Sequence, residues 1–259
     1  LFINYENFVQ NPNQTLEKIL KNQKKYIEQV PELNKIDKQK IHYNMGLTYQ
    51  SHGAFTEAEK HFKEMLKINP TATIADRLIS RFTKYNQENT HFKEMIEKSR
   101  KNNLNDNSKI NLYFALGKAY EDTKDYEKSF SFIKKANDLT NSKFFELIKK
   151  FLEKKKDLFV YFKPHPGDIA KYHNRNNRIK VIYNLPKKLN FNFYIFSNST
   201  SASAEYVHLT NNIAIFKPNF SINLSPFKDL KNYENVFFSN EIELLNIINS
   251  KKKNNFKNF

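Results

Sequence analysis

Two short stretches of this chain carry residue types that can hold a phosphate. The first is Lys163-Pro164-His165-Pro166-Gly167, directly after the apolar run LFVYF at 158–162. Proline fixes its own φ and restricts the residue before it, so the two prolines hold the His165 imidazole in one direction. With 158–162 read as a strand, His165 lies at its carboxyl end, the edge where open α/β sheets bind ligands. There His165 can donate a hydrogen bond to phosphate and Lys163 can add a point charge. The same residues also suit a proline-rich turn with an exposed histidine. The second stretch is Ser197-Asn198-Ser199-Thr200-Ser201, between the run NFYIF at 192–196 and a helical pattern over 201–210. The free N–H groups and positive dipole end of a helix N-terminus favour an anion. Ser199, Thr200 and Ser201 fit that role, and N-capping by a hydroxyl would use the same residue types. Glu205 follows Ser201 by one position too many for a capping box, and can face the ribose hydroxyls of a bound donor.

Other chemistries find less support. The chain has four glycines, which excludes Gly-rich phosphate loops, and no cysteine, which excludes disulfides and thiolate chemistry. His42, His52, His61, His91, His173 and His208 show no metal-ligand spacing with acids or cysteine. His42 and His61 read as packing or surface residues. Glu121-Asp122 reads as a solvated turn, and no general base can be nominated.

The elements that must position the phosphate groups follow from periodicity. Short β-branched and aromatic runs at 158–162, 179–183, 192–196, 213–216 and 235–238 predict strands, with helices near 201–210 and 241–250. Strands interleaved with helices predict a parallel α/β unit over 157–250. Upstream, 39–156 shows helical spacing throughout, with a basic linker helix at 144–156. Residues 1–38 form a polar helical lead-in, and 251–259 a frayed basic tail.

Within the helical part, His42, Met45, Gly46, Tyr49, Gly53, Ala58, Phe62 and Pro70 fall at one helical-hairpin spacing, and residues 110–143 repeat the pattern with Tyr113, Leu116, Gly117, Tyr120, Tyr126, Ser129, Ile133 and Ala136. Gly46 and Gly117 are 71 positions apart, two periods of about 34 with a small insertion. Small residues at 46 and 58 allow close helix packing, Gly53 ends the first helix and Pro70 stops the second. These residues resemble tetratricopeptide repeats over 39–72 and 110–143, with a degenerate hairpin at 73–109. The resemblance implies an α-helical solenoid whose concave face grips a protein or peptide partner.

The two phosphate motifs together resemble the donor-binding half of GT-B glycosyltransferases, closest to capsular polysialyltransferase-like enzymes of surface-carbohydrate biosynthesis. The resemblance implies a partial Rossmann-like domain that binds the phosphate of a nucleotide sugar, typically CMP-linked, and serves a glycan acceptor. Carried over, Lys163, His165, Pro166, Ser199, Thr200, Ser201 and Glu205 become donor-binding. The acidic catalytic motif of that family has no counterpart here, so this segment is expected to be inactive by itself. A further stretch, Asn4-Tyr5-Glu6-Asn7-Phe8-Val9 with Asn11-Pro12, looks like the end of a sulfotransferase domain. That leaves two alternatives: a pure interaction scaffold, or part of a tetratricopeptide–sulfotransferase.

The net charge of +16 invites a nucleic-acid reading. Lys, Asn, Ile and Phe are abundant together, as in an AT-rich coding sequence, and the basic residues are spread over helix faces. A specific nucleic-acid partner is therefore not expected, while attraction to anionic surfaces such as a membrane is reasonable. No apolar run reaches the roughly 18–20 residues that span a bilayer. LFINYENFVQ lacks the basic start and apolar core of a signal peptide. The expected compartment is the cytoplasm, including the inner face of the membrane. A first residue of Leu suggests a fragment or a processed product.

Overall fold

The computed structural model describes residues 34–101, 103–163, 177–182, 193–196, 212–217 and 236–255, and also 18, 21, 22 and 25. The helical pattern over 201–210, the end of the tail and the sulfotransferase-like stretch lie outside them. The chain divides into two units, Leu1–Ala136 and Asn137–Phe259.

The first unit is built from helical hairpins. Helices α1 (Lys35–Ser51) and α2 (Phe55–Ile68) form one; α3 (Thr73–Ser80) and α4 (Thr90–Arg100) follow; α5 (Asp106–Asp122) pairs with the start of α6 (Tyr126–Lys154). Asparagine opens three of them. Asn34, Asn89 and Asn105 each accept a hydrogen bond, through the side-chain oxygen, from the N–H three residues on. Each satisfies a donor that the helix itself cannot. Asp125 does the same for α6 through Lys128 N–H. Ala54, at the corresponding place before α2, has no such group.

The spacing of 71 holds down to single contacts. A Cβ on Gly46 would lie within 2.7 Å of Phe62 Cδ1, and one on Gly117 within 2.6 Å of Ile133 Cγ1. Phe62 and Ile133 are themselves the same 71 positions apart. Real side chains do not approach that closely, so each glycine is required by the helix facing it. Phe62 is fully buried, worth about 2–3 kcal/mol. Ala58 is also fully buried, and its counterpart Ser129 nearly so.

The hairpin turns match as well. Ala54 N–H reaches Tyr49 O at 3.0 Å, and Asp125 N–H reaches Tyr120 O at 2.9 Å. Both turns need one left-handed residue, and it is Gly53 (φ 75°) in the first and Lys124 (φ 62°) in the other. A side chain there costs roughly 1–2 kcal/mol that glycine avoids. After α2, Asn69 turns the chain, its side-chain oxygen accepting from Thr71 N–H at 3.0 Å.

The second unit contains parallel strands backed by helices. β1 (Val160–Phe162) pairs with β2 (Ile179–Val181); β3 (Tyr194–Phe196), β4 (Ile213–Phe216) and β5 (Phe237–Phe238) form a three-stranded sheet in that order. All three pairings are parallel. Each strand falls inside one of the runs expected from the sequence. Helix α7 (Glu241–Asn255) follows β5. α6 does not break at 143; it continues to Lys154 and supplies Phe144, Leu147, Ile148, Phe151 and Leu152 to the core of this unit. Ala214 and Phe216 of β4 join that core, with Ile179 of β2, Phe238 of β5 and Leu244, Ile247 and Ile248 of α7. Ile213 and Ile215, on the other face of β4, join a separate cluster with Val236. β4 is thus buried on both faces, as central parallel strands are. Arg178 ties β2 to α6, its Nη1 donating to Leu152 O at 2.7 Å and Lys155 O at 2.9 Å. That places a cation on the unpaired carbonyls of the helix C-terminus. Lys154 adds an ion pair to Glu241 of α7 at 3.1 Å.

Lys124→Gly is expected to raise stability by about 1 kcal/mol, by removing the left-handed strain without touching a core contact. Chemical denaturation of the full chain measures this directly. No gain, or a loss, would mean that the Lys124 side chain repays its backbone cost.

Candidate functional site

Of the seven residues assigned to phosphate binding, the structure describes Lys163. It follows β1 immediately and is exposed. His165, Pro166, Ser199, Thr200, Ser201 and Glu205 lie outside the described residues. What the structure does fix is where the two stretches begin. β1 ends at Phe162 and β3 at Phe196, each a parallel strand, so both stretches leave from carboxyl strand ends. Among the described residues, no group of three or more His, Cys, Asp or Glu side chains is placed to hold a metal ion. No described helix is long and apolar enough to cross a membrane.

The first unit presents a different kind of site, on α3 and α5. Helical spacing puts Ile74 and Arg77 of α3, with the C-capping Arg81, on one face, and Asn111, Phe114 and Lys118 on one face of α5. The Arg77 guanidinium lies 4.3 Å above the Phe114 ring. Its Nη1 donates to Asn111 Oδ1 at 3.2 Å. Among the described residues no carboxylate pairs with Arg77 or Arg81. Burial, and then the like charge of Arg81, push the Arg77 pKa down to about 10. Lys118 is committed elsewhere, to Asp122 at 2.6 Å.

Behind this face the polar groups are satisfied by one another. Asp76, fully buried on α3, accepts from Lys98 at 2.6 Å and from His91 Nε2 at 3.1 Å. His91 Nδ1 lies 3.0 Å from the Tyr85 hydroxyl. A Tyr–His–Asp chain has the ingredients of acid–base chemistry, yet Tyr85 and Asp76 are buried, leaving no place for a substrate. Its role is to fasten α4 to α3. Asp122 corrects the reading of Glu121-Asp122 as a solvated turn. Glu121 is exposed, but the Asp122 side chain is 3% accessible and receives Lys118, Lys84 at 2.8 Å and Tyr85 N–H at 3.1 Å. Burial pushes its pKa up, and those donors outweigh burial and leave it lowered.

His42 and His61 occupy positions that Tyr113 and Phe132 hold in the last hairpin. Tyr120 stacks on Phe132 with ring centroids 5.5 Å apart, as Tyr49 stacks on His61 at 5.4 Å. Tyr113 packs at 5.6 Å from Phe132, and His42 at 5.2 Å from His61. The histidine pair adds a hydrogen bond, Nδ1 to Nδ1 at 2.9 Å. One ring must donate and the other accept, so at least one is neutral. Burial holds the His42 pKa below its ordinary value, opposed by the charge of Glu64.

Sequence reasoning missed Arg77 and Asn111, because their meeting depends on how α3 packs against α5. One signal was visible. Of the 43 Lys and Arg residues, only Arg77, Arg81, Arg100, Arg175 and Arg178 are arginine, and two of these stand four apart, on α3 and at its C-cap. Where lysine is the default cation, arginine marks a place that needs a planar, multidentate donor.

Comparison with known proteins supports the hairpin reading. Residues 40–72 and residues 110–143 each match the tetratricopeptide repeat family. No curated protein and no solved structure matches the chain. The chain therefore carries a tetratricopeptide module, a protein-interaction architecture, with α-helical repeats at 40–72 and 110–143.

The histidine pair generates a pH dependence of known sign. The folded His42 pKa lies below the unfolded value of 6.5, so the unfolded chain binds the proton first. Stability is full above about 6.5 and falls as the pH drops through that value. His42→Tyr with His61→Phe, which copies the last hairpin, is expected to flatten this fall. Thermal melts on either side of that pH measure it; an unchanged pH slope would exclude the pair as its source.

Proposed function

We propose that this chain is a docking arm joined to the donor-binding part of a glycosyltransferase of cell-surface polysaccharide biosynthesis. The repeats hold a peptide segment of a partner protein against the α3–α5 face. The observation that carries the docking half is the contrast between that face and its surroundings. Asp76, Asp122, His91 and Lys98 are consumed by internal pairing, while among the described residues no carboxylate pairs with Arg77 or Arg81. A solenoid with such a face is suited to hold an extended segment.

The donor half rests on sequence resemblance and on the strand ends. Parallel strands lead directly into the His165 and Ser199–Ser201 stretches, the edge where α/β sheets bind phosphates. There the His165 imidazole and the N–H groups before 201–210 would hold the phosphate of a CMP-linked sugar, with Lys163 and Glu205 in support. The chain supplies no identified general base, so the proposal covers donor binding and leaves the transfer step to another part of the enzyme.

Two measurements test the halves separately. Peptides selected from a random display library against the full chain are expected to bind in solution and to lose at least tenfold in affinity to Phe114→Glu. Lys60→Ala on α2 should leave that affinity unchanged. Peptides indifferent to Phe114→Glu would refute docking on this face. For the donor half, calorimetric titration of the full chain with CMP should show binding that His165→Ala abolishes. Equal binding by the variant, or none by the wild type, would remove the donor assignment.

A further inference from the structure

We propose that His42 and His61 form a transition-metal site, which takes one Ni²⁺ or Cu²⁺ ion through their two Nδ1 atoms. The site lies in the first hairpin and is independent of what the α3–α5 face or the strand ends hold.

The first argument comes from the repeat itself. Tyr113 and Phe132 stand 71 positions after His42 and His61. Both hairpins pack these rings alike, with centroids 5.2 Å apart in the first and 5.6 Å apart in the last. Packing therefore asks for aromatic rings at these places, not for imidazoles. What the first hairpin has in addition is a pair of nitrogen ligands facing each other between α1 and α2.

The second argument is geometric. The two Nδ1 atoms are 2.9 Å apart. Imidazole nitrogens lie about 2.0–2.1 Å from a divalent first-row ion, so this separation subtends about 90° at an ion bound to both. That is the angle between neighbouring positions of a square-planar or tetragonal ion, the arrangement that Cu²⁺ and Ni²⁺ prefer. A tetrahedral Zn²⁺ would need the nitrogens about 3.3 Å apart. To reach the ion, each ring turns its lone pair off the line between the nitrogens, along χ2, which is a soft torsion in histidine. With both rings neutral, the donor ring moves its proton from Nδ1 to Nε2, and the acceptor ring already carries its proton there. Binding then releases no proton, and water fills the remaining positions around the ion.

The surroundings admit a cation. Both histidines are half-buried, so the site keeps a solvent side from which an ion can enter. The lysines that flank His61 on α2 are each paired: Lys60 with Glu57, Lys63 with Glu59 and Lys67 with Glu64. In a chain of net charge +16, α2 thus carries no net charge around His61. Glu64, one turn after His61, is near enough for its charge to act on His42.

The test titrates the full chain, without a histidine tag and freed of metal by chelation, with nickel chloride in a calorimeter. The tightest site is expected to take one ion per chain. His42→Tyr and His61→Phe, which copy the last hairpin, should each weaken that binding at least tenfold. His52→Gln, at an exposed position, should leave it unchanged, and Zn²⁺ should bind the unaltered chain more weakly than Ni²⁺. Cu²⁺ on the unaltered chain should give an electron paramagnetic resonance spectrum with coupling to two nitrogens, a readout that stands even if a variant fails to fold. Absence of Ni²⁺ binding would overturn the proposal. So would full binding by either folded variant, binding that falls equally with His52→Gln, or a copper spectrum with a nitrogen count other than two. Tighter binding of Zn²⁺ than of Ni²⁺ would overturn the assigned geometry and with it the choice of ion.

Discussion

Two side chains, Phe62 and Ile133, press against helices at places where no Cβ intervenes, and the geometry of the first unit follows from that contact. Because Gly46 and Gly117 bring the paired helices together, the turn seven residues on must reverse the chain tightly. Both turns do so with one left-handed residue and the same carbonyl-to-amide closure from Tyr49 and Tyr120. Tight hairpins in turn fix which side of each first helix faces its neighbour. Arg77 can reach Asn111 and Phe114 only because α3 and α5 are held in that register. In a repeat architecture each unit sees mainly its neighbours, so a local packing rule propagates into the composition of the α3–α5 face.

What could be read from the sequence divides along the same line. Gly46, Phe62, Gly117 and Ile133 were legible because a helix pair packed face to face imposes a period on its small and large residues. The strands were legible as β-branched runs, each of which contains an observed strand. Lys124 was not, because no glycine marks its turn; only the register with Gly53 reveals it. Asp122 was misread because an acidic residue beside a turn is usually solvated, and besides Lys118 its donors come from Lys84 and Tyr85, far along the chain. The Arg77–Asn111 bond depends on tertiary packing that a one-dimensional pattern does not contain. Of the residues proposed to bind phosphate, Lys163 alone is among the described residues, and it follows β1 directly.

The second unit obeys a different constraint. A central parallel strand must be apolar on both faces, and Ile213, Ala214, Ile215 and Phe216 meet that demand without a polar interruption. The helices that back it come from opposite ends of the unit, α6 before the first strand and α7 after the last. Arg178 and the Lys154–Glu241 pair fasten this closure at its rim, by neutralising a helix end and joining the two covering helices.

That closure has a kinetic consequence. The hairpins of the first unit are stabilised by contacts between residues close in sequence, the kind that form early and fast. The core of the second unit instead joins Phe144 to Ile248, so the end of α6 cannot complete the burial of its apolar side until β5 and α7 have been made. During synthesis the repeats can be complete while the following helix still exposes Phe144, Phe151 and Leu152. Nascent chains with such a stretch are prone to associate. By that sequence separation the second unit is expected to fold more slowly than the hairpins.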